Sequence, residues 1–248
     1  MPFTPAHPAI VLPLLRVNPN LVSATALIIG SMAPDFEYFF KMSVSSQHSH
    51  TLWGILYFDI PITILLAFLF HQVVKRNLIA NLPAFFQCRF QPMIELDFKT
   101  YFKSHGWVVI ISAGIGSASH IFWDSFTHGE AYFVRHISYY KYVFIPFDGV
   151  RYPLFYALQQ FSTFVGLAIV CTYILLLKPS NSLKPKRPTV CYWVLIVAIY
   201  GLVIFLRFTF AEKQIDLGNF VVSSVAALLI GVSVGGVVRF GRGMNVSS

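Results

Sequence analysis

Long apolar runs separated by short polar segments dominate the pattern of this 248-residue chain. A helix of about 20 apolar residues crosses the roughly 30 Å hydrocarbon core of a bilayer. Five runs reach that length, and the third and the fifth contain no charged residue. The pattern therefore predicts five transmembrane helices, over approximately residues 52–73, 105–123, 154–177, 190–210 and 220–238.

Two shorter apolar runs precede the first of these helices. They cover Pro8–Leu15 and Leu21–Pro34, and the turn-like sequence Val17–Asn20 joins them. Each run is too short to cross a bilayer as a helix, so the pair favours a re-entrant or interfacial helical hairpin. The predicted fold is an all-α integral membrane protein, with about five transmembrane helices and this N-terminal hairpin.

A single membrane domain over residues 1–248 accounts for the whole pattern. Within it we distinguish an N-terminal hairpin with an outer segment, a three-span part, a cytoplasmic linker and a C-terminal two-span part. These parts occupy residues 1–51, 52–177, 178–189 and 190–248.

The composition supports a membrane protein and excludes several soluble classes. Hydrophobic residues make up 56% of the chain and charged residues only 11%, whereas soluble domains are about 25% charged. The remaining polar residues could not cover the surface of a soluble core. Three cysteines without a CxxC pair provide neither a disulfide framework nor a zinc ribbon.

The net charge of +8 follows from membrane topology. Lys and Arg are enriched in the cytoplasmic loops of membrane proteins. The loops 74–104, 178–189 and 239–248 hold eleven of them, and the opposite segments hold six, including Arg16. This asymmetry predicts a cytoplasmic C-terminus, with the N-terminal segment and residues 124–153 outside. It also removes the reason to expect a nucleic-acid partner and leaves the lipid bilayer as the expected one.

The ionisable residues that could carry chemistry gather at the predicted outer side, and the clearest motif is His120 with Asp124. Four residues apart on a helix, they project from one face. Such a pair can bind one divalent cation at about 2.0–2.2 Å from each ligand, or the two side chains can simply satisfy each other. His128 lies about 12 Å of helical rise beyond His120. It reaches the same ion only if the helix ends and the chain folds back; otherwise it serves a second metal.

A second motif, His48-Ser49-His50, precedes the first predicted span. Side chains alternate along an extended segment, so only one of the two histidines needs to face a metal. An outer loop that exposes both histidines to solvent explains the same residues.

Asp35 and Glu37 follow Pro34, which disfavours a helical conformation at the residue before it. Asp35 therefore either caps the next helical turn or supplies a carboxylate ligand. Glu37 is a weaker ligand candidate and a candidate general base. His7 lies between Pro5 and Pro8 with no local partner, and is a candidate because the other motifs share its side of the membrane.

Asp59 and Pro61 lie within the first predicted span. A carboxylate at membrane depth is costly and is usually functional. A buried partner or protonation would explain it without a function, whereas a carrier would depend on it.

Four ordered motifs together resemble a bacterial membrane family named domain of unknown function 4184, and the resemblance covers nearly the whole chain. It implies a bacterial inner-membrane location but supplies no activity. The motifs are Met1–Ala9, Gly30–Tyr38, His48–Thr51 and His120–His128.

More distantly, the motifs resemble a family of inner-membrane-associated hydrolases described as LexA-binding, and zinc-dependent phospholipase C. The second resemblance rests on the Ala-Pro-Asp turn and on His-x-x-x-Asp. The chain lacks that family's second helical motif, His-x-x-x-Glu, because Tyr140 stands four residues after His136. One or two ions are therefore expected in place of three. The ligands implied by the resemblance are His7, Asp35, His50, His120 and Asp124.

The leading hypothesis is a membrane-embedded, metal-dependent hydrolase of the phospholipase C type. It would act on a lipid-linked or amphiphilic phosphoester at the outer face of the membrane. The expected cofactor is a divalent metal, zinc or else manganese, and Glu37 or His128 would handle the proton. The candidate ligands are His7, Asp35, His48, His50, His120 and Asp124.

A competing hypothesis is a non-enzymatic transporter or metal-binding membrane protein that uses the same residues. Carriers place their sites near the bilayer midplane and are often built from repeats. This chain shows no obvious repeat, and its polar residues favour one side. A third hypothesis is that these polar residues have a purely structural role and hold parts of the fold together. The sequence does not specify an oligomeric state.

Overall fold

The computed structural model describes residues 3–180, 184–210, 216–238 and 240. Five of its helices are long and apolar enough to cross a membrane, which confirms the predicted all-α membrane fold. The first extends seven residues beyond its predicted end, and the second begins seven residues before its predicted start and ends one residue later. In chain order, the first to fifth spans are Leu52–Ala80, Phe98–Asp124, Leu154–Leu176, Val190–Phe210 and Leu217–Val237.

The predicted orientation remains a prediction, because a fold by itself does not distinguish the two sides of a bilayer. Three of the counted basic residues, Lys213, Arg239 and Arg242, lie outside the described residues. Residues 181–183 of the linker lie outside them as well.

The N-terminal segment is helical, but most of it is not α-helix. Thr4–Ile10 and Leu12–Arg16 are 3-10 helices, and a short α-helix follows at Ala24–Gly30. Proline has no N–H and clashes with the preceding turn of an α-helix. Because Pro5 and Pro8 lie within the first 3-10 helix, a continuous α-helical ladder is excluded there. A turn at Ala33–Asp35 and a helix at Phe36–Lys41 complete the segment.

The first span changes its winding twice along its length. Its turns at Ile55–Asp59 and Phe70–Val74 are π-helical, between α-helical stretches at Leu52–Gly54, Ile60–Leu69 and Lys75–Ala80. Pro61 supplies no N–H to the carbonyl four residues before it, so a wider turn ahead of it is physically reasonable. A helix at Ala84–Glu95 leads to the second span.

The segment between the second and third spans contains the only strands among the described residues, a hairpin that the all-α prediction did not include. Phe144–Phe147 pairs antiparallel with Val150–Pro153. Asp148 (φ 49°) and Gly149 (φ 74°) form the turn, and an Asp-Gly pair is the usual sequence signal for such a two-residue turn. Short helices at Tyr132–His136 and Tyr139–Tyr142 precede the hairpin.

The chain forms two compact units, each made of three segments. Unit 1 contains Met1–Asp35, Gln47–Ile64 and His105–Leu176. Unit 2 contains Phe36–Ser46, Leu65–Ser104 and Leu177–Ser248. The single membrane domain and its four parts remain a prediction.

Small residues allow helices to approach closely within each unit. In unit 1, a Cβ on Gly116 would lie 2.6 Å from the Leu27 carbonyl oxygen, and one on Gly30 would lie 2.6 Å from the Ala113 carbonyl oxygen. The Ala24–Gly30 helix therefore lies directly against the second span. In unit 2, Gly231 contacts Ile196 where the fourth and fifth spans pack together.

Candidate metal centre

Five side chains that are far apart in the sequence converge inside unit 1. They come from the first 3-10 helix, the Ala33–Asp35 turn, the segment before the first span and the end of the second span. Two overlapping groups of three have ligand atoms within 4.8 Å of one another, and they share His120. We call the five residues the cluster; they are His7, Asp35, His50, His120 and Asp124.

The spacing of the donor atoms within the cluster is regular. His120 Nε2 lies 3.5 Å from Asp35 Oδ1 and 3.3 Å from Asp124 Oδ2. His50 Nε2 lies 3.5 Å from the same Asp35 oxygen and 3.8 Å from the same Asp124 oxygen. Hydrogen bonds between nitrogen and oxygen have a typical length of 2.7–3.2 Å. Two ligands about 2.1 Å from one tetrahedral ion are about 3.4 Å apart, so the observed distances fit a shared cation better than direct hydrogen bonds.

The second oxygen of Asp124 faces the remaining histidine. His7 Nε2 lies 3.6 Å from Asp124 Oδ1, and the His7 ring stacks on that of His120 with centroids 3.7 Å apart. The two oxygens of Asp124 therefore face different imidazoles. A carboxylate in this position can hold one ion or bridge two.

The buried donor atoms of the cluster lack the hydrogen bonds that buried polar atoms normally make. Among the described residues, both ring nitrogens of His7, Asp35 Oδ1, His120 Nε2 and both Asp124 oxygens have no hydrogen-bond partner. His7, Asp35 and His120 are completely buried. Leaving a buried polar atom unsatisfied costs about 1–3 kcal/mol, so these atoms are candidates to bind a further group.

Hydrogen bonds outside the cluster orient its ligands. His120 Nδ1 donates to the Ser31 carbonyl oxygen at 2.7 Å, because a carbonyl only accepts, and this contact directs Nε2 toward the cluster. Thr4 Oγ1 donates to Asp35 Oδ2 at 2.5 Å, and Ser49 Oγ lies 3.0 Å from His50 Nδ1. Such outer contacts fix the orientation of metal-binding side chains.

His128 lies at the edge of this arrangement. The second span ends at Asp124, and the following turn brings His128 Nδ1 within 3.6 Å of Asp124 Oδ2. The same nitrogen donates to the Asp124 backbone oxygen at 3.1 Å. The helix therefore ends and the chain folds back, the first of the two arrangements considered from the sequence.

Access to the cluster is past one of its histidines, His50, and past the adjoining His128. The side chains of His50 and His128 are 21% and 28% exposed, whereas those of His7 and His120 are fully buried. A small molecule or ion that reaches the donor atoms therefore approaches past His50 and His128.

Burial and neighbouring charges set the protonation states outside the spans. Burial, helped by the nearby His120, lowers the pKa of His7 to about 3. Burial also lowers the pKa of His128, although Asp124 opposes that shift. Burial alone would raise the pKa of Asp35, but the neighbouring His120 brings that pKa below its usual value. Neutral imidazoles and an ionised carboxylate are the forms that bind metal ions.

Three other candidates from the sequence lie elsewhere. His48 is exposed, and its Nδ1 lies 3.1 Å from the Tyr57 hydroxyl. Glu37 belongs to unit 2, where it accepts hydrogen bonds from Lys41 Nζ at 2.5 Å and from Ser46 Oγ at 2.9 Å. Asp59 is buried in the first π-helical turn of the first span. The structure thus brings together His7, Asp35, His50, His120 and Asp124, with His128 beside them.

Sequence reasoning missed the residues that support the ligands. Gly30 and Gly116 allow the close approach that places the Ser31 carbonyl against His120. Ser117 Oγ adds a hydrogen bond to the Gly30 carbonyl oxygen at 3.1 Å. The small residues around Gly116 were a visible signal for close helix packing, but the sequence did not indicate their partner.

A comparison with known families matches residues 1–237 to the model of the family described as Domain of unknown function (DUF4184). The chain belongs to this family. The match to DUF4184 covers all six residues of the site, from His7 to His128. No curated protein and no solved structure matches the chain. DUF4184 membership therefore agrees with the family expected from the motifs, and any function has to be argued from the site.

Proposed function

We propose that this protein is a membrane-embedded, metal-dependent hydrolase whose cluster holds one or two divalent cations. The observation that carries the proposal is the set of buried nitrogen and oxygen atoms, 3.3–3.8 Å apart. Three histidines and two carboxylates are a donor set suited to zinc, and manganese accepts similar ligands. A bound cation would supply polarisation of a phosphoryl oxygen and a lower pKa of a coordinated water molecule.

The general base that best fits the geometry is His128. Its Nδ1 donates to the Asp124 carbonyl oxygen at 3.1 Å, so Nε2 carries the lone pair, and Nε2 makes no hydrogen bond to the described residues. Because its pKa is lowered, the imidazole is neutral at physiological pH and can accept a proton. Glu37 fits this role less well, because both of its oxygens already accept hydrogen bonds from Lys41 and Ser46.

An apolar cavity beside the cluster supports an amphiphilic substrate. It has a volume of about 360 Å³, and its lining includes Ile10, Phe122, Trp123 and Phe161. The Trp123 ring also contacts His7, with ring centroids 5.7 Å apart. A hydrocarbon chain in this cavity would place an attached phosphoester close to the donor atoms. In the predicted orientation, the site faces the outer side of a bacterial inner membrane.

Metal content is the first test of this proposal. The full chain is purified in detergent and analysed by inductively coupled plasma mass spectrometry, together with His120→Ala and Asp124→Ala. One or two zinc or manganese ions per wild-type chain, absent from both variants, are expected. Glu37→Gln is the matched control, because it changes a buried carboxylate of the other unit and should leave the metal content unchanged.

Hydrolysis is tested next with phosphodiester and phosphomonoester lipids in mixed micelles. We expect metal-dependent release of the phosphorylated head group, lost in Asp124→Ala and at least about 100-fold slower in His128→Gln, as expected for loss of a general base. A folded wild-type protein that takes up no metal, even after reconstitution, would exclude the hydrolase.

A transporter is the alternative function. It is supported by the buried polar residues Asp59 and Thr63 within the first span, where a carrier would place its site. Ion flux into proteoliposomes that Asp59→Asn abolishes and His128→Gln leaves intact would favour the carrier. Hydrolysis that is unaffected by Asp59→Asn would favour the enzyme.

A further inference from the structure

A second apolar groove lies in unit 1 between the N-terminal 3-10 helices and the third span. It has a volume of about 700 Å³. Ala9, Leu12 and Pro13 form one wall, and Ala168 and Ile169 belong to the other. None of the residues that line the cavity beside the cluster also lines this groove. It is therefore a separate site.

The groove opens where two packed elements diverge. Near one end the first 3-10 helix and the third span are in close contact, because a Cβ on Gly166 would lie 2.8 Å from the Ala6 Cβ. From there the residues of the third span that line the groove extend to Leu176. Val165 and Leu176 are eleven residues apart on the helix, which corresponds to a groove length of about 16 Å. This length is comparable to half of the roughly 30 Å hydrocarbon core.

Arg16 is a cation at this groove, and none of the described residues supplies a counter-charge to it. Arg16 ends the second 3-10 helix and lines the groove together with Tyr173 and Leu176. Among the described residues, Arg16 has no hydrogen bond and no ion pair through its side chain. A guanidinium group presents donors that suit the two oxygens of a phosphate. A long apolar groove that ends at such a group is complementary to a hydrocarbon chain attached to an anion.

We propose that this groove binds one anionic phospholipid of the bilayer, with an acyl chain between the 3-10 helices and the third span and its phosphate on Arg16. An apolar groove gains dispersion contacts when a chain fills it, and a bilayer supplies such chains at high concentration. In the predicted orientation, the Leu176 end of the third span adjoins the cytoplasmic linker. Arg16 then lies near the cytoplasmic leaflet, where anionic lipids are concentrated, and not among the outer residues with which it was counted.

Native mass spectrometry of the delipidated full chain tests the proposal. The probes are phosphatidylglycerol and phosphatidylcholine with identical acyl chains, added in detergent. Wild type should bind one phosphatidylglycerol about tenfold more tightly than phosphatidylcholine, the ratio expected for one hydrogen-bonded charge pair. Arg16→Gln should lower the affinity for phosphatidylglycerol to that for phosphatidylcholine, and Arg16→Lys should keep part of the preference.

Matched variants separate charge from groove shape. Arg151→Gln removes an exposed arginine of the same unit and should keep the tenfold preference. Ala168→Trp fills the groove and should weaken the binding of both lipids. Phe164→Trp changes a side chain that is 72% exposed and does not line the groove, so it should change neither affinity.

Three results would overturn this inference. The first is equal affinity of wild type for the two lipids, and the second is a preference for phosphatidylglycerol that survives Arg16→Gln. The third is a dimer that binds no lipid, since a second copy of the chain would then cover the groove. Because the metal content is measured separately, a groove without lipid and a cluster without metal are distinguishable failures.

Discussion

The two units contain buried polar groups of very different kinds. In unit 2, Lys75 Nζ donates to the carbonyl oxygens of Met93 and Leu96 at 2.9 and 2.6 Å. Gln87 Nε2 donates to the Leu82 and Lys186 carbonyl oxygens, both at 2.7 Å. In unit 1, the atoms of the cluster face one another at 3.3–3.8 Å, and most of them make no hydrogen bond to the described residues.

This difference distinguishes a structural polar network from an incomplete binding site. Lys75 and Gln87 of unit 2 bind backbone carbonyl oxygens at loop and helix ends, so protein atoms alone satisfy these two side chains. The cluster of unit 1 brings five metal-binding side chains together, and the cluster atoms of His7, His120 Nε2 and both Asp124 oxygens make no hydrogen bond to the described residues. Unsatisfied buried polar groups are destabilising, and the proposed metal would compensate for those of the cluster.

Removal of the proposed metal should give the largest effect on stability. It tests most directly whether the cluster differs from the polar groups of unit 2. A ligand present at about 1,000 times its dissociation constant stabilises the folded state by about 4 kcal/mol. Dialysis of the wild type against a chelator should therefore lower its free energy of unfolding by about that amount, measured by denaturant titration in detergent. In His120→Ala the chelator should have no effect; an equal loss there would mean that the stabilising metal binds elsewhere.

Lys75→Met should show the opposite behaviour. It leaves the Met93 and Leu96 carbonyl oxygens without their buried donor, which should cost about 3 kcal/mol of unfolding free energy. The metal content per folded chain should remain that of the wild type, as measured by mass spectrometry. Loss of metal from the folded variant would show that the two polar networks are not independent.

Gly116→Ala tests the contact that orients one of the proposed metal ligands. It displaces the Ser31 carbonyl oxygen that holds His120 and leaves His120 itself unchanged. The new Cβ would lie 2.6 Å from the Leu27 carbonyl oxygen and 2.7 Å from the Ser31 amide nitrogen. The Ala24–Gly30 helix must then move, and the Ser31 carbonyl oxygen moves away from His120. The metal dissociation constant, measured by competition with a chromogenic chelator, should rise about 10–100-fold.

The neighbouring Gly114→Ala is the control for this change. Its Cβ would meet only the Ile60 Cδ1 atom at 3.5 Å, an ordinary contact. We expect wild-type metal affinity. A similar loss of affinity in both variants would attribute the effect to the helix in general and not to the contact with Ser31.

Mild acid should give the smallest effect, and only in the metal-free protein. The pKa of His7 is about 3 in the folded chain and 6.5 in the unfolded chain, so the unfolded state binds one more proton between these values. Stability therefore rises with pH across that range and falls on acidification, by up to about 1.4 kcal/mol per pH unit. The window from pH 6.5 to 5 excludes a contribution from Asp35, because its lowered pKa keeps it ionised there.

The comparison with His7→Gln assigns this pH dependence. The difference in unfolding free energy between wild type and the variant should decrease as the pH is lowered from 6.5 to 5. Because Asp35, His120, Asp124 and His128 also face His7, they contribute to both curves and largely cancel in the difference. Parallel curves would show that His7 does not titrate with a lowered pKa.

The sequence by itself determined the spans and the most local part of the site. In lipid, each backbone polar group must be satisfied within its own helix, so the length of an apolar run is sufficient to locate a span. The pairing of His120 with Asp124 was equally local, because a separation of four residues on a helix fixes their common face. The Asp148-Gly149 turn was also present in the sequence, although the hairpin was not anticipated.

Only the tertiary structure decided which distant residues meet. His50 faces the cluster and His48 does not, because the chain turns at Thr51. The Thr51 side chain accepts the Gly54 N–H at 2.8 Å. The turn is tight, since a Cβ on Gly54 would lie 2.0 Å from the His48 carbonyl oxygen. The approach of His7 and Asp35 to His120 depends on close packing at Gly30 and Gly116. Hydrophobic periodicity describes one element at a time, whereas these contacts depend on the volumes and shapes of side chains on several elements.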